Sequence, residues 1–213
     1  LIRHIAKKGK PTIISTGTAD LEEVRETVEA FRAAGNDRLM LMQCTAAYPA
    51  PPESLNVRAI ASLKREFGAP AGLSDHSRDP LVGPMAAVAV GANLLEKHFT
   101  LSNALPGPDH PFAVEPDELA LMVRRVRETE RALGSGEKRM HPIERELFAF
   151  ARRYLFAARR IEQGESLTEE NVRVLRKGKC AAGLPPREWD RVLGKRAARA
   201  LDAEDPIMEC DLA

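Results

Sequence analysis

Gly72-Leu73-Ser74-Asp75-His76 is separated from Leu94-Leu95-Glu96-Lys97-His98-Phe99-Thr100 by an interval rich in alanine and valine. Each histidine closes a short apolar run of buried-strand character, and the interval between them has the length and composition of a helix. A strand–helix–strand unit makes its two strands parallel neighbours. Adjacent strands lie about 4.8 Å apart, so side chains ending both can reach one ion. Two imidazoles, two carboxylates and a serine therefore converge at the carboxyl ends of parallel strands, where α/β sheets place their chemistry.

Working outward, the same alternation recurs. Thr12-Ile13-Ile14-Ser15 is a β-branched strand, followed by the loop Thr16-Gly17-Thr18 and a helix capped by Asp20. Leu21, Val24, Val28 and Phe31 mark that helix's apolar side, Glu22 and Glu23 suit its first turn, and Gly35-Asn36 stops it. Leu39 to Cys44 is a second strand, leading through Thr45-Ala46-Ala47-Tyr48 into a stiff loop with prolines at 49, 51 and 52. A helix over 56–67, a strand over 71–74, a helix over 81–90 and a strand over 93–98 follow. The loop Leu105-Pro106-Gly107-Pro108-Asp109-His110 precedes a long amphipathic helix from Glu115-Pro116 to Leu133-Gly134. Strand starts spaced by roughly two to three dozen residues are those of βα units. Four in series are half of an eight-unit barrel, with an open doubly wound sheet as the alternative. No glycine-rich dinucleotide fingerprint follows any strand.

Residues 135–149 are charged and aperiodic at first sight and read as a linker. From about residue 150 the character changes. Arg159-Arg160-Ile161 runs through Glu162-Gln163-Gly164-Glu165 to Leu167-Thr168-Glu169-Glu170-Asn171-Val172. About forty residues later Arg199-Ala200-Leu201 runs through Asp202-Ala203-Glu204-Asp205 to Ile207-Met208-Glu209-Cys210-Asp211-Leu212. This is a weak internal repeat in a small β-rich module, with a short helix through Trp189 between the copies.

Composition bounds the function. Acids and bases nearly cancel, at a formal net charge of +1 over 213 residues, which argues against a nucleic-acid partner. No apolar run is long enough to span a bilayer. The three cysteines, Cys44, Cys180 and Cys210, are odd in number and widely spaced, which reads as reduced thiols in a cytoplasmic protein. The chain opens at Leu1 without a methionine, as a piece of a longer polypeptide would.

A lone histidine at a strand end is more often structural than a ligand. His76 and His98 on adjacent strand ends, with Asp75 and Glu96 nearby, instead suggest a metal pair with open positions for substrate or water. Ser15-Thr16-Gly17 and Ser74 on the same rim suggest an anion cradle assisted by a helix N-terminus. Asp109 and Tyr48 read equally as a turn residue and core filler or as pocket walls. Arg176 reads most simply as a solvated charge.

Ser15-Thr16-Gly17, Cys44-Thr45-x-x-Tyr48-Pro49, Gly72-Leu73-Ser74-Asp75-His76, Glu96-Lys97-His98-Phe99-Thr100 and Pro106-Gly107-Pro108-Asp109, in this order and spacing, resemble the sialic acid synthase (N-acetylneuraminate synthase) family. The resemblance covers essentially the whole chain. It implies an α/β fold: the second half of a (β/α)8 TIM barrel over 1–134, a linker over 135–149, then a small β-rich, antifreeze-like (SAF, β-clip) domain over 150–213. It implies condensation of phosphoenolpyruvate with an N-acetylhexosamine-type sugar, by C–O cleavage and with release of phosphate, in a cytoplasmic homodimer. His76 and His98 would bind a divalent metal, usually manganese, with magnesium or cobalt as alternatives. Ser15 and Ser74 would contact phosphate, Tyr48 and Asp109 would line the sugar side, and Glu96 or Asp109 would orient water or sugar hydroxyls. Arg176 would enter the active site of the partner subunit, with Phe150 near the same mouth. The family's usual glycine turn in the second repeat is replaced by Ala203-Glu204, and Lys177 stands where a proline usually follows the arginine. A non-catalytic sugar-binding or assembly module, and a ketodeoxyoctonate-type synthase, are the competing readings.

Overall fold

The computed structural model describes residues 1–213 and divides into two compact units, Leu1–Glu137 and Lys138–Ala213.

The first unit runs α1 (Ile2–Lys7), β1 (Thr12–Ser15), α2 (Leu21–Ala33), β2 (Leu39–Cys44), α3 (Ala59–Phe67), β3 (Ala71–Asp75), α4 (Val82–Ala89), β4 (Leu95–Lys97) and α5 (Pro116–Leu133). Its four strands are parallel and stand in chain order, β1-β2-β3-β4. A doubly wound sheet reverses strand order partway, and this one does not. One face explains the sequence pattern. Leu39 and Leu41 of β2 and Ala71 and Leu73 of β3 pack with Val24, Val28 and Phe31 of α2, Ile60, Leu63 and Phe67 of α3, and Ala87 of α4. On the other face Ile13 is 53 % exposed. Helices on one face of a parallel, sequentially ordered sheet are a half-barrel.

Local chemistry sets the ends. Asp20 accepts hydrogen bonds from the backbone N–H groups of Glu22 and Glu23, while Glu23 accepts from the N–H of Asp20, a reciprocal cap. Gly68, in the left-handed region at φ 60°, closes α3. Asp79 accepts from the N–H groups of Leu81 and Val82 and opens α4. Gly72 lets β3 approach β4, because a Cβ there would lie 2.1 Å from the Leu94 carbonyl oxygen. Three elements are shorter than the sequence reading: α3 begins at Ala59 after a turn over 56–58, α4 spans Val82–Ala89, and β4 spans Leu95–Lys97. Asn56, at φ 44°, cannot continue a right-handed helix.

In the second unit the stretch read as aperiodic is partly helical. A 3-10 turn at Pro142–Glu144 leads into α6 (Arg145–Ala151). Glu146, Leu147 and Ala149 are good helix formers, but two turns are too few for periodicity to register. β5 (Arg153–Ala157) and β6 (Val172–Arg176) then form an antiparallel pair. The core gathers Leu155, Ile161, Leu167, Val192, Leu201 and Ile207, with Trp189 of α7 (Trp189–Val192) partly buried against it.

The internal repeat is real and the copies pair with each other. Ile161 and Leu201 exchange both backbone hydrogen bonds at 2.9 Å. The Gly164 N–H donates to the Ala197 carbonyl, and its counterpart forty positions on, the Glu204 N–H, donates to the Ala157 carbonyl, each at 2.8 Å. Asn171 and Asp211, both buried, cap equivalent turns by accepting from the N–H groups of Thr168 and Met208. The two copies are thus related by a pseudo-twofold axis.

Candidate active site

The register carries the site. Ser15 pairs with Met42, Cys44 with Ser74, and Ser74 with Glu96, and side chains alternate along each strand. Leu41, Leu73 and Leu95 face the helices, so Ser15, Ser74 and Glu96 take the opposite face. His76 and His98 continue that face just beyond β3 and β4.

There the two imidazoles stand edge to face, with ring centroids 5.1 Å apart. Tyr48 stacks on His76 at 4.3 Å, and Phe112 lies 5.0 Å from His98 and 5.8 Å from Tyr48. His76 Nδ1 lies 2.9 Å from the Thr45 carbonyl oxygen. A carbonyl only accepts, so Nδ1 carries a proton and Nε2 is the nitrogen left to face a metal, the arrangement of a metal-ligating histidine. His98 Nδ1 faces Asp109 Oδ2 at 3.5 Å. The residues therefore suit a divalent cation as a two-imidazole site. No group of three or more His, Cys, Asp or Glu side chains is arranged to hold a metal, so further ligands would be water or substrate.

The buried Ser74 hydroxyl donates to Glu96 Oε1 at 2.9 Å. Ser15 is exposed on the same rim. At the start of α2 the N–H groups of Glu22 and Glu23 are engaged by the Asp20 side chain. The expectation for Asp75 is corrected. It does not join His76 but turns to the helix-facing side, where its carboxylate meets Lys97. The parity of adjacent strand residues carries that signal. Cys44 and Phe112 were missed by sequence reasoning. Cys44 Sγ lies 3.9 Å from His76 Nδ1, and burial, foremost, raises its pKa. The hydrogen bonds from Val82 and Leu81 hold the nearby Asp79 carboxyl below its ordinary range.

In the second unit Phe150 is half exposed on α6 and Arg176 is exposed at the end of β6. The Gly178 N–H donates to the Phe150 carbonyl and the Lys177 N–H to that of Arg152, so both side chains sit at one end of this unit. Arg176 stands directly opposite Arg153 across the ladder. Cys44, Cys180 and Cys210 are free thiols, and no helix is long and apolar enough to cross a membrane.

The comparisons agree with this architecture. The NeuB family model matches residues 1–138 and the SAF domain model residues 152–213. The chain is 40 % identical to the spore coat polysaccharide biosynthesis protein SpsE of Bacillus subtilis, covering 100 % of this chain and 61 % of that protein. It is 40 % identical to a pseudaminic acid synthase of Campylobacter jejuni, over 99 % and 60 % of the respective chains. It is 36 % identical to the human N-acetylneuraminate-9-phosphate synthase, over 98 % and 57 %. The crystal structure of the Leptospira borgpetersenii N-acetylneuraminic acid synthetase superposes with a TM-score of 0.63 at 33 % identity, over 69 % of this chain and 51 % of that one. The chain thus spans about 60 % of the length of the curated relatives it matches. A parallel half-barrel, a histidine pair at its strand ends, a β-rich module after it and similarity along the whole of this chain to these relatives together place the chain in the NeuB family, with a C-terminal SAF domain.

Proposed function

We propose that the polypeptide containing this chain condenses phosphoenolpyruvate with an N-acetylhexosamine-type sugar to form a nonulosonic acid. The enol carbon of phosphoenolpyruvate bonds to the sugar's aldehyde carbon. Water adds to the resulting cationic centre, and the tetrahedral intermediate expels phosphate by C–O cleavage. The observation that carries the reading is the strand-end set of His76, His98, Ser74 and Glu96, in a chain whose relatives are named pseudaminic, legionaminic and N-acetylneuraminate-phosphate synthases.

Each residue has a role in this reading. Ser15 and Ser74 hold the phosphoryl group and act by positioning, the Ser74 hydroxyl turning its one proton from Glu96 to a phosphoryl oxygen when substrate binds. Glu96, released by Ser74, aligns the attacking water. Asp109 accepts from a sugar hydroxyl, and Tyr48 supplies an apolar wall. His76 and His98 would hold a divalent metal, manganese in the first instance, with magnesium or cobalt as substitutes. Its contribution when bound is Lewis acidity toward the aldehyde oxygen. Arg176 and Phe150 would complete the site of a partner subunit in a cytoplasmic homodimer.

The test is phosphate release by the full-length protein across a panel of amino sugars and metals. Replacing both His76 and His98 with alanine should abolish metal-dependent release, and undiminished turnover would refute their metal role; no release from the unaltered full-length protein on any sugar would refute the reading in favour of a non-catalytic sugar-binding role. Full activity from monomeric protein at high dilution would refute the dimeric site.

A further inference from the structure

One titratable cluster beside the histidines has no place in that chemistry. Lys97 and Asp75 form an ion pair whose side chains are 2 % and 1 % exposed, with Nζ 2.8 Å from Asp75 Oδ2. The ammonium also donates to the Ser77 carbonyl at 2.5 Å and reaches the Ser77 hydroxyl at 3.3 Å. Asp75 Oδ1 accepts from the Ser77 N–H at 2.8 Å. All three ammonium hydrogens therefore have acceptors.

The position of this pair is specific. Asp75 and Lys97 are direct register partners across β3 and β4. Asp75 immediately precedes His76 and Lys97 immediately precedes His98, so the pair lies one residue below the imidazoles on the opposite face. Lys97 grips residues on both sides of His76, namely Asp75 and Ser77, from the strand that carries His98. Helix α4 is cut to fit, since a Cβ on Gly83 would lie 2.8 Å from Asp75 Oδ2. A buried ion pair is a poor source of stability, because apolar residues of similar volume usually serve as well. What it supplies is directional: a fixed distance between two strand ends.

We propose that Lys97 and Asp75 are positioning residues for His76 and His98, a buried clamp that holds the two imidazoles at the spacing one divalent cation requires. The inference rests on the reading of the histidines as metal ligands given above.

The experiment uses the full-length protein and two variants. In the first, Lys97→Met is combined with Asp75→Leu, which removes both charges together and leaves no unpaired buried ion. In the second, Gly83→Ala presses a methyl against Asp75 with the charges intact. Mn2+ is titrated alone, without substrates, and thermal midpoints and metal-free imidazole NMR spectra are recorded beside it. The charge-free variant should bind Mn2+ about 10- to 100-fold more weakly, the usual cost of losing an outer-shell support. Its turnover should recover at saturating Mn2+. Affinity within twofold of the wild type in a folded charge-free variant overturns the proposal. If that variant does not fold, Gly83→Ala decides: weakened Mn2+ binding supports the clamp and unchanged binding overturns it. If the wild type itself binds no Mn2+, the metal reading falls. The clamp is then decided by the metal-free spectra of Gly83→Ala, where displaced His76 and His98 resonances support it and unmoved ones overturn it.

Discussion

Ser74 on β3 and Glu96 on β4 are cross-strand partners, and the Ser74 hydroxyl donates to Glu96 Oε1 at 2.9 Å. The bond joins a buried residue to an exposed one. The serine holds the carboxylate toward the rim, where its other oxygen can face a ligand.

Glu96→Gln keeps the shape and removes the charge. With Glu96 as the group that aligns the attacking water, kcat for phosphate release should fall by about 10²–10⁴-fold. Ser74→Ala removes one hydrogen bond to a charged group, about 1.5–3 kcal/mol, and should lower kcat/KM by roughly 10- to 150-fold. A Ser74→Ala protein with wild-type kcat/KM for phosphoenolpyruvate would rule out both roles of that serine.

Tyr48 is 56 % exposed and stacks on His76 at 4.3 Å. Tyr48→Phe preserves the stack and should leave Mn2+ binding unchanged, whereas Tyr48→Ala should weaken it by a few-fold to tenfold, the worth of an aromatic contact of about 0.5–1.5 kcal/mol. Equal metal affinity in the two variants, measured by calorimetry, would show that the stack has no supporting role.

Glu204 adopts φ +67° where its repeat counterpart Gly164 adopts φ +81°. A residue with a Cβ is disfavoured there by about 1–2 kcal/mol. Glu204→Gly should therefore stabilise the C-terminal unit, less about 0.4–1 kcal/mol for the freer unfolded chain. A melting midpoint several degrees higher is the expected reading, and a lower one would show that the Glu204 side chain matters more than its backbone.

Hydrogen bonds from Arg159 above all, then from the Glu162 N–H–bearing turn, hold the Glu165 carboxyl down at about 2. A depressed folded-state pKa stabilises the fold above the ordinary value of 4.5 and loses that contribution as pH falls toward about 2. The C-terminal unit should accordingly soften over that window, and Glu165→Gln should flatten the dependence when circular dichroism is followed against pH. Added salt should shrink the difference, since the pair is exposed.

Much of the fold was legible because its signals are local. Asp20 caps α2, Gly35 follows its end, and Leu21 to Phe31 shows the period of a helix with one apolar face. The second unit's repeat could be read from matching residues, though not that Ile161 and Leu201 bond to each other. Helix α6 was hidden because seven residues carry too little periodicity. Of the site, His76, His98, Ser74 and Glu96 were legible from strand ends and register, while Phe112 and Cys44 were not, because their contacts cross long stretches of chain.

By itself the sequence determined where the four strands of the first unit and helices α2 to α5 lie, that those strands run parallel, and that two histidines end neighbouring strands. These follow from hydrophobic period, capping residues and the length of each crossover. Only the tertiary structure decided which way the neighbours of those histidines turn. In the sequence Asp75 reads as a carboxylate of the metal pair, yet strand alternation under α4 turns it to the opposite face and buries it against Lys97. A carboxylate is equally at home on a cation, a lysine or water, and the partner it takes depends on which side of the sheet the packed helix closes.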